Sequence, residues 1–290
     1  MKRLRRLSAF AVFVLLAAST ASAQQPGLLD NLSLFVGPDG SKQPQDLGIN
    51  ANMGIRFSAN LGFPLLEDYG IGGQVGAACN LSDGAVHVLD QIEGSHNREQ
   101  TFVTIGAFSH SHPVTWALAY DIMFERYYDN FTVSQLRGEA GYKLTAADEI
   151  GAWFTIGASG ADAHMAGTPV RLDAISMVNG DWRRTWASGA RTSLWAGVAG
   201  GHEELVWVIP GSTRLDHVFV YGADLQFPLN RRLDVTGAAN FITPTATGTV
   251  DAYLGVTFYP GRDGSASAHG RFAPPMTVAN NPAFAVNLAR

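Results

Sequence analysis

The chain has 290 residues, of which 46% are hydrophobic and only 16% are charged, with 32 glycines, one cysteine and a formal net charge of −5. The acidic balance argues against a nucleic-acid partner, which requires clustered basic residues, and a single cysteine excludes an internal disulfide. Soluble domains carry about 25% charged residues. The composition therefore indicates that charged residues cover less of the surface than in an ordinary soluble domain.

The first 23 residues have the pattern of an export signal. Basic residues between Lys2 and Arg6 precede an apolar stretch, and small residues lead to Ala23, so cleavage is expected between Ala23 and Gln24. An uncleaved anchor helix is the alternative, for which the apolar stretch is too short. Because position 24 is not a cysteine, a lipoprotein is excluded. The remaining chain would keep 16 basic and 25 acidic residues, a net charge of −9.

Strand-like segments follow from residue 31 to residue 259. Residues 47–63 (LGINANMGIRFSANLGF) show the strongest pattern, with apolar residues or Ala at every odd position and Gly or polar residues at every even one. Such alternation predicts a strand with one apolar and one wet face. A tilted strand needs about 9 to 11 residues to cross a bilayer. The predicted strands are 31–37, 47–63, 70–81, 100–109, 114–128, 132–144, 149–157, 173–186, 190–200, 216–229, 233–242 and 250–259.

The connections between these strands alternate in length. Turns are expected at 64–69, 110–113, 145–148, 187–189 and 230–232, and long loops at 38–46, 82–99, 158–172 and 201–215, the first loop beginning with a turn at Pro38–Gly40. Outer-membrane barrels place short turns on the periplasmic side and long loops outside. After the signal no apolar run reaches 18 residues, so no membrane helix is predicted. The sequence therefore predicts an all-β fold, a transmembrane antiparallel up-and-down barrel of about 12 strands.

Aromatic residues support the same assignment. On the lipid-facing parity, at the short-turn ends of their strands, stand Phe63, Trp116, Tyr142, Phe227 and Phe258. This is where an interfacial girdle belongs. The alternative is that they form the core of a soluble β-sandwich.

Polar residues of both signs share the inward parity. The expected lumen-lining set is Asn50, Asn52, Arg56, Asn60, Gln74, Asp121, Glu125, Arg137, Glu139, Lys143, Arg191, Asp224, Gln226, Asp234, Asn240 and Asp251. Barrels of twelve strands lie between small barrels filled by side chains and large ones with an aqueous channel. A narrow pore, a plugged lumen and a salt-bridged interior that merely fills the barrel all remain open.

No catalytic residues and no cofactor are expected. His110 and His112 could face one metal from an extended segment, but two ligands without a third do not make a specific site. A hydrolase would need a serine beside a histidine and an orienting acid, and no such arrangement stands out.

Two segments, residues 33–54 (SLFVGPDGSKQPQDLGINANMG) and 128–153 (YDNFTVSQLRGEAGYKLTAADEIGAW), resemble a family of exported planctomycete proteins. That family is a domain of unknown function and looks like outer-membrane barrels. The resemblance covers about residues 31–262 and carries over no catalytic residue. Strand 253–258 (YLGVTF) also resembles the aromatic assembly signal of bacterial outer-membrane barrels, which implies the barrel assembly machinery as a partner. The chain departs from that signal in having Pro260 and a tail after it.

The expected organisation is a signal peptide at 1–23, a barrel at 24–262 and a flexible periplasmic tail at 263–290. We expect a narrow passive channel or a structural protein of the bacterial outer membrane, in contact with outer-membrane lipid and without nucleic acid. The alternatives are an enzyme or receptor on the same barrel, such as a lipid hydrolase, and a soluble secreted β-protein that binds surface polymers. The oligomeric state is left open.

Overall fold

The computed structural model describes residues 28–82, 97–111, 113–165, 167–205, 212–245, 249–261 and 271–289. Its main feature is a closed antiparallel barrel of twelve strands, which confirms the predicted fold class and strand number. The barrel strands are β1 (Leu32–Lys42), β2 (Asn52–Leu66), β3 (Ile71–Ser82), β4 (Arg98–Ser109), β5 (Val114–Arg126), β6 (Asn130–Lys143), β7 (Asp148–Ser159), β10 (Met177–Thr185), β11 (Arg191–Leu205), β12 (Ser212–Pro228), β13 (Leu233–Thr243) and β14 (Thr249–Phe258). Neighbouring strands pair in chain order, and β14 closes the barrel against β1.

A smaller sheet is not part of the barrel ladder but packs against the inner side of the barrel wall at the long-loop end. Its strands are β8 (Ala161–Met165), β9 (Thr168–Ala174) and β15 (Val286–Ala289), in the order β15-β9-β8. Because β8 and β9 leave the barrel as a hairpin, β7 pairs directly with β10. Short 3-10 turns complete the described elements at Leu28–Asn31, Pro44–Asp46, Glu67–Tyr69 and Asn281–Ala283.

The barrel has a short-turn end and a long-loop end, as the sequence predicts. The short-turn end holds the connections 67–70, 110–113, 144–147, 186–190 and 229–232. The long-loop end holds the connections 43–51, 83–97, 127–129, 160–176, 206–211 and 244–248. Both β1 and β14 reach the short-turn end with their outer termini, since Leu34 pairs with Phe258.

The predicted turn at Pro38–Gly40 is wrong, because these residues lie within β1. Pro38 is aligned with Ile55 of β2, and the pairing of β1 with β14 continues at Asp39 opposite Tyr253 in unchanged register. Proline is tolerated in a strand where its missing N–H interrupts no ladder bond. The chain turns instead at 43–51, where Leu47 has φ 55°.

Three other predicted boundaries differ. Residues 47–51 alternate like β2 but belong to the preceding loop, where Leu47 is fully buried. The predicted loop 158–172 contains β8 and most of β9, which ends at Ala174. Most of the predicted loop 201–215 belongs to β11 and β12, which leave only 206–211 between them. At 201–215 strand pairing extends beyond the clean alternation, whereas at 47–51 the alternation extends beyond the strand pairing, so alternation alone does not fix the strand ends.

The predicted facing agrees with the burial of the side chains. On β5, Leu118 and Phe124 are 44% and 45% exposed, whereas Asp121 between them is fully buried. On β2, Met53 is 60% exposed and Arg56 is 2% exposed. The outer surface therefore presents apolar side chains and the interior polar ones, the arrangement of a barrel with lipid outside.

The expected aromatic residues lie on that outer surface. Trp116, Tyr142, Phe227 and Phe258 are exposed there near the short-turn ends of their strands. Phe63 is only partly exposed, with its ring against Gly73. Within the described residues, no helix has the length and the apolar character needed to cross a bilayer.

Residues 271–289 do not form the flexible periplasmic tail that the sequence predicts for residues 263–290, while residues 263–270 and 290 lie outside the described residues. Residues 271–289, here called the C-terminal segment, lie inside the barrel. At the short-turn end, the Phe272 N–H donates to Asn31 Oδ1 at 3.2 Å, and at the long-loop end β15 pairs with β9. The segment thus runs through the whole lumen. Side chains of the barrel wall, and not a neighbouring strand, bond to backbone groups of this segment from Met276 to Ala283. Its sequence therefore needs no periodic strand pattern there, and its Pro-, Ala- and Asn-rich composition resembles that of a linker.

Candidate functional site

The wall of the lumen binds the backbone of the C-terminal segment through side chains. Asn60 Nδ2 and Gln74 Nε2 both donate to Met276 O at 2.9 Å. Arg137 Nη2 donates to Thr277 O at 2.9 Å. These contacts come from β2, β3 and β6, so the segment lies against one side of the barrel.

Further along the segment the same pattern continues. Arg56 Nη2 donates to Val278 O at 3.2 Å, and Thr104 Oγ1 accepts from the Ala279 N–H at 2.9 Å. Gln135 Nε2 donates to Ala283 O at 2.8 Å. Because a buried backbone polar group is costly without a partner, these side chains fix the path of the segment.

Asp121 organises three of the side chains that bind the segment. Its carboxylate accepts from Thr104 Oγ1 at 2.7 Å, from Gln135 Nε2 at 3.0 Å and from Arg137 Nε at 2.9 Å. Each of these partners also contacts a backbone group of the C-terminal segment. Asp121 is fully buried, so the ion pair with Arg137 compensates a charge that would otherwise be isolated.

A second buried ion cluster lies at the long-loop end around Arg98. Its guanidinium donates through Nε and Nη2 to Glu125 Oε2 at 3.0 and 2.9 Å, and through Nη1 to Ser41 Oγ at 3.0 Å. Asp46 Oδ2 lies 3.7 Å from Nη1. Arg98 thereby holds loop 43–51 inside the barrel mouth.

Burial governs the ionisation of that loop. It raises the pKa of Asp46 to about 6, although Arg98, the Gln43 N–H and Asn52 favour the carboxylate. The phenol of Tyr127, which accepts from Asn50 Nδ2 at 2.8 Å, also has its pKa raised by burial. Loop 43–51 therefore carries a carboxyl group that titrates in a mildly acidic range.

Apolar side chains fill the rest of the long-loop half. On the side of β10 to β13 they form a cluster, here called the apolar layer, made of Ile175, Met177, Ala199, Val218, Val220, Ile242 and Ala285. On the opposite side Phe284 packs on Phe102 with ring centroids 5.9 Å apart, in a larger cluster with Leu47, Phe131 and Leu288. Ala285, Phe284 and Leu288 come from the C-terminal segment, which thus completes both clusters.

Below the apolar layer the lumen is hollow. A cavity of about 640 Å³ extends from the short-turn end, where Asn31, Lys143 and Tyr259 line it, and a cavity of about 220 Å³ adjoins it deeper inside. We call this space the lumen chamber. Its inner part is lined by Glu139, Trp153, Asp181, Arg183, Arg191, Trp195, Asp224, Gln226 and Tyr253.

Several charged groups of the chamber have fixed partners. Arg183 lies 2.7 Å from Asp181, 3.3 Å from Glu139 and 3.3 Å from Glu149. Ser193 Oγ donates to Asp224 Oδ1 at 2.9 Å. Mixed signs held in fixed positions give the chamber wall both donors and acceptors.

The predicted lumen residues occupy three different places. Arg56, Asn60, Gln74, Asp121 and Arg137 surround the C-terminal segment, and Glu125 pairs with Arg98. Asn50 and Asn52 bind Tyr127 and Asp46 in the region of loop 43–51. The chamber is lined by Glu139, Lys143, Arg191, Asp224, Gln226 and Asp234, while Asn240 binds the indole of Trp195, and Asp251 is fully buried near the Arg98 cluster.

Sequence reasoning missed several residues of the interior. Arg98 falls in the predicted loop 82–99 and Arg183 in the predicted strand 173–186, which does not alternate cleanly, so the sequence predicts no facing for either side chain. Trp153 and Trp195 carry a usable signal. Trp153 shares the parity of Glu149 and Thr155, and Trp195 shares the parity of Arg191, and both parities point inward. An aromatic residue on the wet parity is the observation that would have identified the chamber.

The histidine pair of the sequence is only partly described. His110 Nε2 lies 2.9 Å from Ala273 O, at the entry of the C-terminal segment, and His112 lies outside the described residues. In the part of the chain that the structure describes, no group of three or more His, Cys, Asp or Glu residues could hold a metal ion.

Solved structures with a similar architecture include a porin, the translocator domain of an autotransporter and a hydrocarbon channel. A KdgM porin is 9% identical, with 78% of this chain and 98% of the porin covered and a TM-score of 0.40. The translocator domain of the autotransporter NalP from Neisseria meningitidis is 10% identical, with 87% and 97% covered and a TM-score of 0.44. A TodX monoaromatic hydrocarbon channel carrying the deltaS2 mutation is 8% identical, with 78% and 88% covered and a TM-score of 0.44.

A search of the curated proteins found no match to this chain. A family of unknown function, DUF6666, matches residues 31–286, which include β1 to β14 and most of the C-terminal segment. The chain therefore belongs to this family of unknown function, DUF6666.

Proposed function

We propose that this protein is an outer-membrane channel that its own C-terminal segment holds closed. The apolar outer surface and polar interior of a closed barrel support a position in the membrane, with the long-loop end outside the cell and the short-turn end in the periplasm. Outer-membrane lipid would contact exposed side chains such as Leu118 and Phe219, which are 44% and 64% exposed. The barrel assembly machinery would insert the chain after removal of the export signal.

The observation that carries the proposal is the way in which the segment is held. From Met276 to Ala283 it is bound by wall side chains, and strand pairing begins only at Val286. Each side-chain hydrogen bond contributes about 0.5 to 1.5 kcal/mol, or about 1.5 to 3 kcal/mol where the donor is charged, as in Arg56 and Arg137. Each contact is therefore small beside the stability of a closed ladder of twelve strands. A plug held in this way can be released without breaking the barrel ladder.

Conductance in planar bilayers tests the proposal. We expect the full chain to insert and remain silent, because the C-terminal segment completes the packing that fills the long-loop half. A chain that ends at Gly261 keeps all twelve barrel strands and is expected to conduct. Its folding is checked by the heat-dependent migration of barrels on gels, so that a silent channel is distinguished from a misfolded one.

A matched pair of point variants separates release of the plug from general damage. The double change Asn60→Ala and Gln74→Ala removes both donors to Met276 O and is expected to give intermittent openings. Glu67→Ala, which removes an exposed ion-pair partner of Arg271 at the entry, should leave the full chain silent. A folded truncated chain that never conducts would refute the channel.

A further inference from the structure

We infer that the lumen chamber is a binding site for a neutral saccharide that enters from the short-turn end. The first support is the pair of indole rings. Trp153 and Trp195 both face inward and are half-buried, with ring centroids 6.1 Å apart and an interplanar angle of 78°. The two rings, set at a large angle to each other, form an apolar surface that a ligand can contact inside an otherwise polar cavity.

The indole of Trp195 is fixed in place. Its Nε1–H donates to Asn240 Oδ1 at 3.0 Å. The ring lies over Gly222 of the neighbouring strand, where any side chain would overlap it. Because one face rests on the wall, the other face is presented to the chamber without a cost for ordering it.

The polar lining decides the class of ligand. Arg183 and Arg191 stand beside Glu139, Asp181 and Asp224, and Arg183 is already paired with carboxylates. A ligand whose charges all have the same sign would therefore meet wall groups of that sign as well as groups of the opposite sign. A sugar hydroxyl both donates and accepts, so it fits a lining of mixed sign, while the C–H face of the sugar ring fits the indole.

The size and the access of the chamber agree with this class. Small-molecule sites measure about 300 to 1,000 Å³ and combine apolar walls with a few fixed polar groups, and the larger of the two adjoining cavities is about 640 Å³. The chamber opens at the short-turn end and stops at the apolar layer. A saccharide would therefore be held in the closed protein and passed on only when the C-terminal segment leaves.

Calorimetric titration of the full chain tests the site in its closed state. The protein is studied in micelles of a dimethylamine oxide detergent, which has no sugar head group, with maltotetraose and cellotetraose as neutral probes and spermidine and citrate as charged ones. We expect saturable binding of at least one tetrasaccharide and weaker binding of both charged probes. Tighter binding of spermidine or citrate, or no binding of either saccharide, would overturn the assignment.

Variants locate the bound probe. Trp195→Ala is expected to weaken saccharide binding by about tenfold, and Trp195→Phe to recover part of the loss because it restores a ring face. Arg191→Gln, which leaves the Arg183 network intact, provides a second variant that does not depend on removing an indole. Trp182→Ala on the outer surface is the matched control and should bind like the unchanged protein. Equal affinity in Trp195→Ala, Arg191→Gln and the control would overturn the site.

This inference rests on the proposed function in one respect, because a channel is expected to pass the ligand that its chamber binds. Binding is measured on the closed chain and needs no current. A truncated chain that folds and stays silent would refute the channel while saccharide binding still stood. A conducting truncated chain with no saccharide binding would refute the site alone.

Discussion

Arg137 donates to both carboxylate oxygens of Asp121, through Nε to Oδ2 at 2.9 Å and through Nη2 to Oδ1 at 3.2 Å, while Nη2 also donates to Thr277 O at 2.9 Å. One guanidinium thus connects a buried acid of β5 to the backbone of the C-terminal segment. The ion pair of the wall and the attachment of the segment are therefore coupled, and a change at Asp121 should act on both.

Replacing Asp121 by alanine tests this coupling. The change leaves Arg137 as an uncompensated buried charge, which costs about 3 to 5 kcal/mol, and it frees Thr104 and Gln135 at the same time. We expect a lower urea midpoint and partial opening of the full chain in bilayers. Asp162→Ala, which removes an exposed partner of Arg171, is the control and should cost at most about 1 kcal/mol. Similar midpoints for both variants would contradict the role given to Asp121.

Replacing Leu118 by arginine tests the facing of β5. Leu118 lies in the middle of the strand and is 44% exposed on the outer surface, so arginine there should cost about 2 to 4 kcal/mol if it meets the bilayer midplane. The measurement is the yield of heat-modifiable barrel after refolding into vesicles. A harmless Leu118→Arg together with a disruptive Asp121→Ala would mean that the wall faces the opposite way.

The pH dependence of loop 43–51 follows from Asp46. Its pKa is raised to about 6 from an ordinary value of 3.8, so the folded loop holds the proton more tightly than the unfolded loop. This contribution of the protonated Asp46 carboxyl to the stability of the folded loop is fully present below pH 3.8. It is lost as the pH rises through about 6, and the loss amounts to at most about 3 kcal/mol.

Hydrogen exchange of the Asp46 and Leu47 amides at pH 4.5 and pH 7 measures this effect after correction for the intrinsic exchange rate. We expect greater protection at the lower pH, and Asp46→Asn should remove the difference. Protection that increases with pH would show that the ion pair with Arg98, and not burial, controls the carboxyl group.

The path of the C-terminal segment predicts the side of the membrane on which its last residues lie. Because Val286–Ala289 pair with β9 at the long-loop end, an epitope added after Arg290 should be accessible to antibody on intact cells. The same epitope inserted in the turn 229–232 should become accessible only after the outer membrane is permeabilised. A terminal epitope that is detected only after permeabilisation would place the end of the chain in the periplasm.

The sequence predicts the barrel well because each wall strand has one face toward the apolar outside and one face toward the polar interior. Val114–Arg126 alternates between exposed side chains such as Leu118 and buried ones such as Asp121, and this period of two needs no knowledge of distant residues. The strand ends are less predictable, since residues 47–51 alternate while lying in a loop whose Leu47 packs inside the mouth.

The path of the C-terminal segment could not be predicted from the sequence. Met276 O is bound by Asn60 and Gln74, which precede it by 216 and 202 residues, and no local period marks such contacts. Asn60 and Gln74 were recognisable as inward polar residues, but their partner was not. Trp195 was within reach of the same parity argument that identified them.

The most direct test of the closed channel is the single-channel current of the chain ended at Gly261, recorded before and after addition of a synthetic peptide of residues 271–290. The full chain should be silent, the shortened chain should conduct, and the peptide should block its current by occupying the groove formed by Arg56, Asn60 and Gln74. A full chain that conducts as freely as the shortened one, or a shortened, folded chain that carries no current, would contradict the account.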